Sequence, residues 1–223
     1  MRKQTIGKGI ERYVFDSRDE WLRNREGIGG SDAASIVGLS PYKSNQQLWK
    51  EKSGEAKSED ISDKPYVKYG HDAEPLIRGL FALNYPQYKV DYSDNNMFRN
   101  KKYPWAHASL DGELTDPEGR KGIWEGKTTT ILRPGQADTW KDRIPDPYYI
   151  QCLHYLMVTE YEYVWLTALL KYEFGDDITL QIRNYSFERE EVLEDIDYLK
   201  KEEEKFWKSL KKGKRPGLIL PEI

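Results

Sequence analysis

Two carboxylates and an amine stand close together near the middle of the chain: Asp111 in ASLDGEL, and Glu125 with Lys127 in IWEGKTTT. Hydrolysing a phosphodiester at neutral pH needs an activated water, neutralisation of charge in the transition state and support for the departing oxygen, and metal ions can supply all three. Mg²⁺ takes oxygen ligands and keeps several waters, so its site needs carboxylates that converge from rigid elements. Adjacent strands can provide this. Lys127, two residues after Glu125, returns to the same strand face by the period-two rule. An ammonium there orients the attacking water or helps deprotonate it, and offsets negative charge. The Gly126 backbone carbonyl between them is a further candidate oxygen ligand. The triplet alone is not specific, because Glu-x-Lys recurs at Glu55-Ala56-Lys57 and Glu203-Glu204-Lys205, both in charged surroundings that favour a solvated face. What distinguishes 125–127 is its strand context and the Asp111 strand before it. By itself the trio fits two surface carboxylates beside a lysine as well as it fits a nuclease centre.

The elements around these residues follow from periodicity and punctuation. Ser17-Arg18-Asp19-Glu20 predicts a capping box opening a short helix that Gly27 stops. Gly29-Gly30-Ser31-Asp32 predicts a second start, with Ser31 as cap before the run Ala33 to Val37 and with backbone N–H groups free to take a phosphate. Gly38 and Pro41 end that element. A third short helix is expected over 45–52, closed by Gly54. The polar, aperiodic stretch 55–64 reads as a mobile surface loop. From Pro65 the spacing of Val67, Leu76, Ile77, Leu80 and Phe81 predicts a helix to Asn84 carrying Glu74 beside Pro75. Strands are expected over 89–91, 96–99, 106–114 and 123–130, with 116–122 as the turn between the last two. Pro147 predicts the start of a helix over 148–158. Residues 163–171 and 179–187 form an expected hairpin around Gly175-Asp176-Asp177, and 188–210 an amphipathic terminal helix stopped by Gly213 and Pro216.

At 223 residues, with 38% hydrophobic residues, seven Trp and sixteen Tyr, the chain can bury one sizeable core, and a single domain spanning 1–223 is expected. Cys152 is the only cysteine, which excludes a disulfide framework, a CxxC zinc site and a four-cysteine cluster. No signal-peptide-like or membrane-spanning run is visible, so a soluble cytoplasmic protein is expected. The net charge of -3 argues mildly against an electrostatic coat on nucleic acid, but the 188–204 segment holds much of the acid and leaves room for a basic groove elsewhere. His71, His107 and His154 lack metal-ligand spacing, and His154, in an apolar helix, reads as a packing residue.

Five segments, in order, carry a resemblance: WLRNREGIGGSDAASIVGLSPY (21–42), YGHDAEPLIRGLF (69–81), ASLDGEL (108–114), WEGKTTT (124–130) and YYIQCLHYLMVT (148–159). They resemble the PD-(D/E)xK nucleases, and among them the YqaJ-type viral recombinase and bacteriophage lambda exonuclease family. One departure is Leu110, which stands where the family has a proline before its first metal-binding aspartate. The resemblance implies an α/β fold with a central mixed β-sheet flanked by helices, a PD-(D/E)xK restriction-endonuclease-like core. It implies Asp111 and Glu125 as metal ligands joined by Glu74 from the helix side, Lys127 as catalytic lysine, and Gln151 facing the centre with Tyr155 on its face, as catalytic and DNA-contacting residues respectively. Arg25 and Ser31 match the residues that hold the 5′-phosphate, with Arg23 as an alternative to Arg25.

The function implied is a Mg²⁺-dependent 5′-to-3′ exonuclease acting on double-stranded DNA ends in phage-type recombination, with Mn²⁺ as a substitute cofactor. Its products would be 5′-mononucleotides and a 3′ single-stranded tail. A single-strand annealing partner, a homotrimeric ring, and phage or prophage origin in a bacterial cytoplasm are further expectations. The alternatives are an endonuclease of the same fold and a non-catalytic DNA-end-binding or assembly protein.

Overall fold

A computed structural model describes residues 1–175 and 177–219; Asp176, the middle of the expected hairpin turn, and the last four residues of the expected 1–223 domain lie outside them. The chain runs β1 (Arg2–Gly7), β2 (Ile10–Val14), α1 (Arg18–Arg23), α2 (Gly30–Ile36), α3 (Asn45–Lys52), α4 (Pro65–Asn84), β3 (Lys89–Asp91), β4 (Asn96–Asn100), β5 (His107–Ala108) and β6 (Gly112–Thr115). It continues through β7 (Lys121–Ile131), α5 (Pro134–Asp138), α6 (Asp146–Thr159), β8 (Tyr163–Phe174), β9 (Asp177–Glu188) and α7 (Leu193–Lys211).

Five strands form a mixed sheet in the order β3-β6-β7-β8-β9, with β7 and β8 parallel and the other pairs antiparallel. This is the α/β arrangement expected. Its two faces separate cleanly by strand period. On β8, Val164, Leu166, Ala168 and Leu170 join Ile150, Leu153, Leu156 and Met157 of α6 in the main core. The alternate residues Tyr163 and Leu169 join Trp124 and the α4 side chains Ala73, Ile77 and Phe81 in a second cluster. The sheet is therefore sandwiched between α4 and α6. On β7 the same alternation turns Trp124 and Gly126 toward α4, and Ile123, Glu125 and Lys127 toward α6.

A second, four-stranded antiparallel sheet, β1-β2-β4-β5, was not expected. Its β1–β2 hairpin escapes pattern reading because the first four residues of β1 are exposed and β2 is only half-buried beyond Ile10, so neither strand alternates clearly between apolar and polar. The strand expected over 106–114 is broken into β5 and β6, and Asp111 sits in the break. The cause is local: Asn96 captures the chain there, accepting from the Leu110 N–H at 2.8 Å and donating to the Leu110 carbonyl at 2.8 Å.

The helices differ from expectation at their ends. Ser17 does cap α1, accepting from the Glu20 N–H at 3.1 Å, but Glu20 reaches back to the Asp16 N–H and not to Ser17. Ser31 is not a cap. It lies exposed in the first turn of α2, and Asp32 instead closes that terminus by accepting from the Gly29 N–H at 2.9 Å. The terminal helix begins at Leu193 and not at 188, because β9 keeps its pairing with β8 as far as Glu188 and a 3₁₀ turn over Arg189–Val192 makes the bend. On α4, Leu76 and Leu80 are exposed, and the buried face is Ala73, Ile77 and Phe81.

Candidate active site

Glu125 stands on β7 with its side chain almost fully buried, and one of its oxygens collects two donors. Gln151 Nε2 of α6 reaches Oε1 at 2.8 Å and Lys127 Nζ reaches the same atom at 2.6 Å. The other oxygen, Oε2, is buried without a partner. Asp111 approaches from the β5–β6 break and accepts from the Gly126 N–H at 3.1 Å through Oδ2. A strand residue sends its N–H and C=O out on the same side, so the Gly126 carbonyl leaves β7 toward the same gap. Glycine is needed there: a Cβ on Gly126 would lie 2.8 Å from the Trp124 ring and 3.2 Å from Ile77.

Glu74 enters from α4. Arg78, one helical turn on, donates from Nη1 to Glu74 Oε1 at 2.8 Å and to the Asp111 carbonyl at 2.7 Å, and its guanidinium stacks on Tyr92. Burial raises the Glu74 carboxyl above the usual range and the Asp111 charge raises it further. Glu125 is pushed up to about 8 by burial and then by Asp111, in spite of Lys127. Burial would lower Lys127, but Glu125 and Asp111 outweigh it and hold the amine as an ammonium, above its ordinary value. Asp111 thus acts on Glu74 on the α4 side and on Glu125 of β7, and Arg78 and Lys127 offset the charge at those two carboxyls. Among the described residues no three His, Cys, Asp or Glu side chains are gathered as a ready-made metal cluster. The donor set nevertheless suits a hard divalent cation, since it consists of oxygens and leaves the buried Glu125 Oε2 in need of a positive partner.

Gln151 also donates to the Tyr155 hydroxyl at 2.7 Å. Tyr155 is nearly buried and its ring is covered by Gly30, where a Cβ would approach to 2.5 Å. Gly30 at the start of α2 therefore lets that turn press against the Gln151–Tyr155 pair, while Gly29 faces His107. Arg25 lies beside the same turn and stacks over Trp21 at 4.3 Å; the Trp21 indole donates to Ser109 Oγ at 3.1 Å, two residues before Asp111. Ser31 is exposed on the turn, and Arg23 is exposed on α1. Glu74, Asp111, Glu125, Lys127 and Gln151 are thus linked around one gap, with Tyr155 beneath Gln151 and closed off from solvent, while Arg25 and Ser31 lie at the α2 turn and Arg23 on α1.

Pattern reading missed Arg78, although its four-residue spacing from Glu74 on a helix was a usable signal. It also missed Tyr148, whose ring lies 5.2 Å from the Lys127 ammonium. His154 is a packing residue as expected, but its partner is a surprise. Nδ1 lies 2.7 Å from Glu203 Oε1 and Nε2 lies 2.9 Å from the His107 carbonyl, and Trp105 Nε1 donates to the second Glu203 oxygen at 3.3 Å. Glu203, read from sequence as one more residue of a solvated acidic face, is fully buried.

The profile of the YqaJ-like viral recombinase domain matches residues 20–162, a stretch that contains every residue of the gap. The uncharacterized protein YqaJ of Bacillus subtilis strain 168 is 32% identical over 211 residues, covering 92% of this chain. This chain spans only 59% of that relative's length. An alkaline exonuclease from Laribacter hongkongensis, LHK-Exo, superposes with a TM-score of 0.62 at 17% identity, covering 87% of this chain and 93% of its own. Its complex with dAMP superposes with a TM-score of 0.61 at 16% identity, over the same shares of the two chains. The fold is that of the PD-(D/E)xK nucleases, as the ordered segments implied.

Proposed function

This chain belongs to the YqaJ-like viral recombinase domain family, and from that premise we propose that it is a metal-dependent exonuclease digesting double-stranded DNA from a 5′ end, releasing 5′-mononucleotides and leaving 3′ single-stranded tails. The observation that carries the reading is Glu125: a buried strand carboxylate, one oxygen held by Gln151 and Lys127 and the other without a partner, facing Asp111 across the gap. In this reading Asp111, Glu125, Glu74 and the Gly126 carbonyl hold Mg²⁺, with Mn²⁺ as a substitute. The bound cation supplies water activation and neutralises charge on the scissile phosphate.

The chain's own groups do the rest. Lys127, kept as an ammonium, donates to the attacking water and orients it. Gln151 fixes the Glu125 carboxylate, and Tyr155 fixes Gln151. Arg25 grips the terminal 5′-phosphate in this reading, in preference to Arg23; what supports it is that the Arg25 guanidinium borders the Gly29 turn at the start of α2. The dAMP complex of the structurally similar alkaline exonuclease agrees with a mononucleotide product. We further expect a single-strand annealing partner, a ring of three subunits around the duplex and work in a bacterial cytoplasm. Light scattering that gave a monomer would remove the ring.

The deciding assay digests linear duplex labelled at either end, with Mg²⁺ and with EDTA, using wild type and Lys127→Ala. We expect nucleotide release from the 5′ strand only with metal, and a loss of about 10²-fold or more in the variant. Equal activity of the variant, or metal-independent release, would end the catalytic reading. Equal attack on closed circles would make the enzyme an endonuclease.

A further inference from the structure

A strand at the end of a sheet is a template for another strand, and three of the four end strands here are guarded by length or charge. β3 and β5 are only three and two residues long, and β1 opens with Arg2 and Lys3. β9 is different. It closes the five-stranded sheet over 12 residues with an unbroken register against β8, and its stretch 178–182, ITLQI, carries no charge, no proline and no bulge. Ile178 is 60% exposed and Leu180 56%.

The backbone pattern fixes which groups face outward. The Arg189 N–H bonds the Glu162 carbonyl at 2.7 Å, and the Glu188 N–H turns away from β8 to Glu191 Oε2 at 2.9 Å. With the register unbroken, the alternation of an antiparallel pair then points the N–H and C=O of Ile178, Leu180 and Ile182 away from β8, toward the open edge. Among the described residues no strand meets them there. The segment is also self-complementary. Turned about a two-fold axis at Leu180, a second β9 sets Leu180 against Leu180, Ile178 against Ile182 and Asp177 against Arg183. The apolar pairs fall on the α4 side of the sheet, where Ile182 already packs against the second cluster, and the charged pair on the other face. Lys171 and Glu173 of β8 pair with each other at 2.5 Å, and among the described residues Asp177 and Arg183 have no ion pair of their own.

We propose that β9 pairs antiparallel with β9 of a second copy about a two-fold axis at Leu180, joining the two five-stranded sheets into one. Opposed residues exchange both N–H···O bonds where Leu180 meets Leu180 and where Ile178 meets Ile182, and the two Asp177–Arg183 pairs set the register. Such an isologous contact closes at two copies, so it is separate from the ring of three expected above, whose contacts run head to tail. It holds whether or not the chain is a nuclease, because β9 supplies none of the groups around Glu125.

The test uses the whole chain without DNA or metal. Sedimentation equilibrium should show self-association that Leu180→Lys, which brings two ammoniums face to face, weakens by about tenfold or more. Arg183→Asp alone and Asp177→Arg alone should each weaken it about tenfold, and the double exchange should restore it to within about threefold. Paired Cα atoms about 5.5 Å apart suit a disulfide, so mild oxidation of Leu180→Cys should give a covalent dimer. Phe174→Cys, also exposed but not opposite itself, should give none. Circular dichroism melting checks that the variants fold. A monomer at every concentration, which leaves the edge to a strand of another protein or to none, overturns the proposal. So does an assembly, a ring of three included, that is indifferent to Leu180→Lys and does not cross-link at position 180, and so does a double exchange no stronger than the single ones.

Discussion

Glu125 shows how burial and a ligand set are linked. A carboxyl raised to about 8 by burial and by Asp111 holds its proton near neutrality, and a metal ligand must give that proton up. Cation binding should therefore release a proton, and the apparent affinity for Mg²⁺ should climb with pH, by at most about tenfold per unit below that value and levelling above it. Calorimetric titration at several pH values, in buffers of different ionisation heat, measures both. Affinity independent of pH, with no proton release, would mean that Glu125 is no ligand, and Glu125→Gln should remove the dependence. At this scale strand period put Glu125 and Lys127 on one face, whereas their role came from the resemblance, and Asp111 reaches the gap from a break between β5 and β6 that period did not show. Arg78 was not legible, because a helical spacing from Glu74 says nothing of a guanidinium reaching the Asp111 carbonyl.

Among the elements, the contact between α2 and α6 decides how tightly Gln151 is held. Gly30→Ala would drive a methyl into the Tyr155 ring, and we expect a loss of about 1–3 kcal/mol in urea unfolding together with a lower kcat. Gly79→Ala, in the open on α4, is the control and should stabilise by about 0.5–1 kcal/mol. If Gly30→Ala behaved like the control, the close approach would be unimportant. The α6–α7 seam carries a second test. His154 lies between the Glu203 carboxyl and the His107 carbonyl, and with Glu203 ionised its two ring nitrogens satisfy both acceptors as an imidazolium. Burial alone would depress it, but Glu203 and the carbonyl raise it above the usual histidine value. A group raised in the folded state stabilises fully below its unfolded value of roughly 6.5, and that stability drains away as pH rises through the folded value. The Tm difference between wild type and Glu203→Gln should accordingly shrink with rising pH. A difference that stayed constant would remove the charge from His154. The sequence placed α3 and α4 closely, since both begin and end where punctuation and periodicity say, but not the start of α7. It did not show that one glutamate of an acidic helix turns inward, because the partner that turns it lies 49 residues away.

For the molecule as a whole, we propose one cooperative unit, because the two sheets are joined at an active-site strand. Glu113 of β6 accepts from Arg12 Nε of β2 at 2.7 Å and from the Tyr161 hydroxyl at 2.7 Å, two residues from Asp111. Calorimetry should give a single transition whose van't Hoff and measured enthalpies agree; two resolved transitions would divide the chain. No described helix is long and apolar enough to cross a membrane. The sequence by itself determined the ordered motifs, the mixed sheet with its flanking helices, and the face that Glu125 shares with Lys127. The motifs and the shared face rest on local spacing and on the period of one strand, and the mixed sheet with its helices on the resemblance those motifs carry. Only the tertiary structure decided that Asp111 sits in a break, that a second sheet buttresses β6, and that Tyr155 is sealed beneath Gln151. Each of those depends on groups far apart in the chain meeting at contact distance, and spacing along a sequence does not encode which distant group arrives.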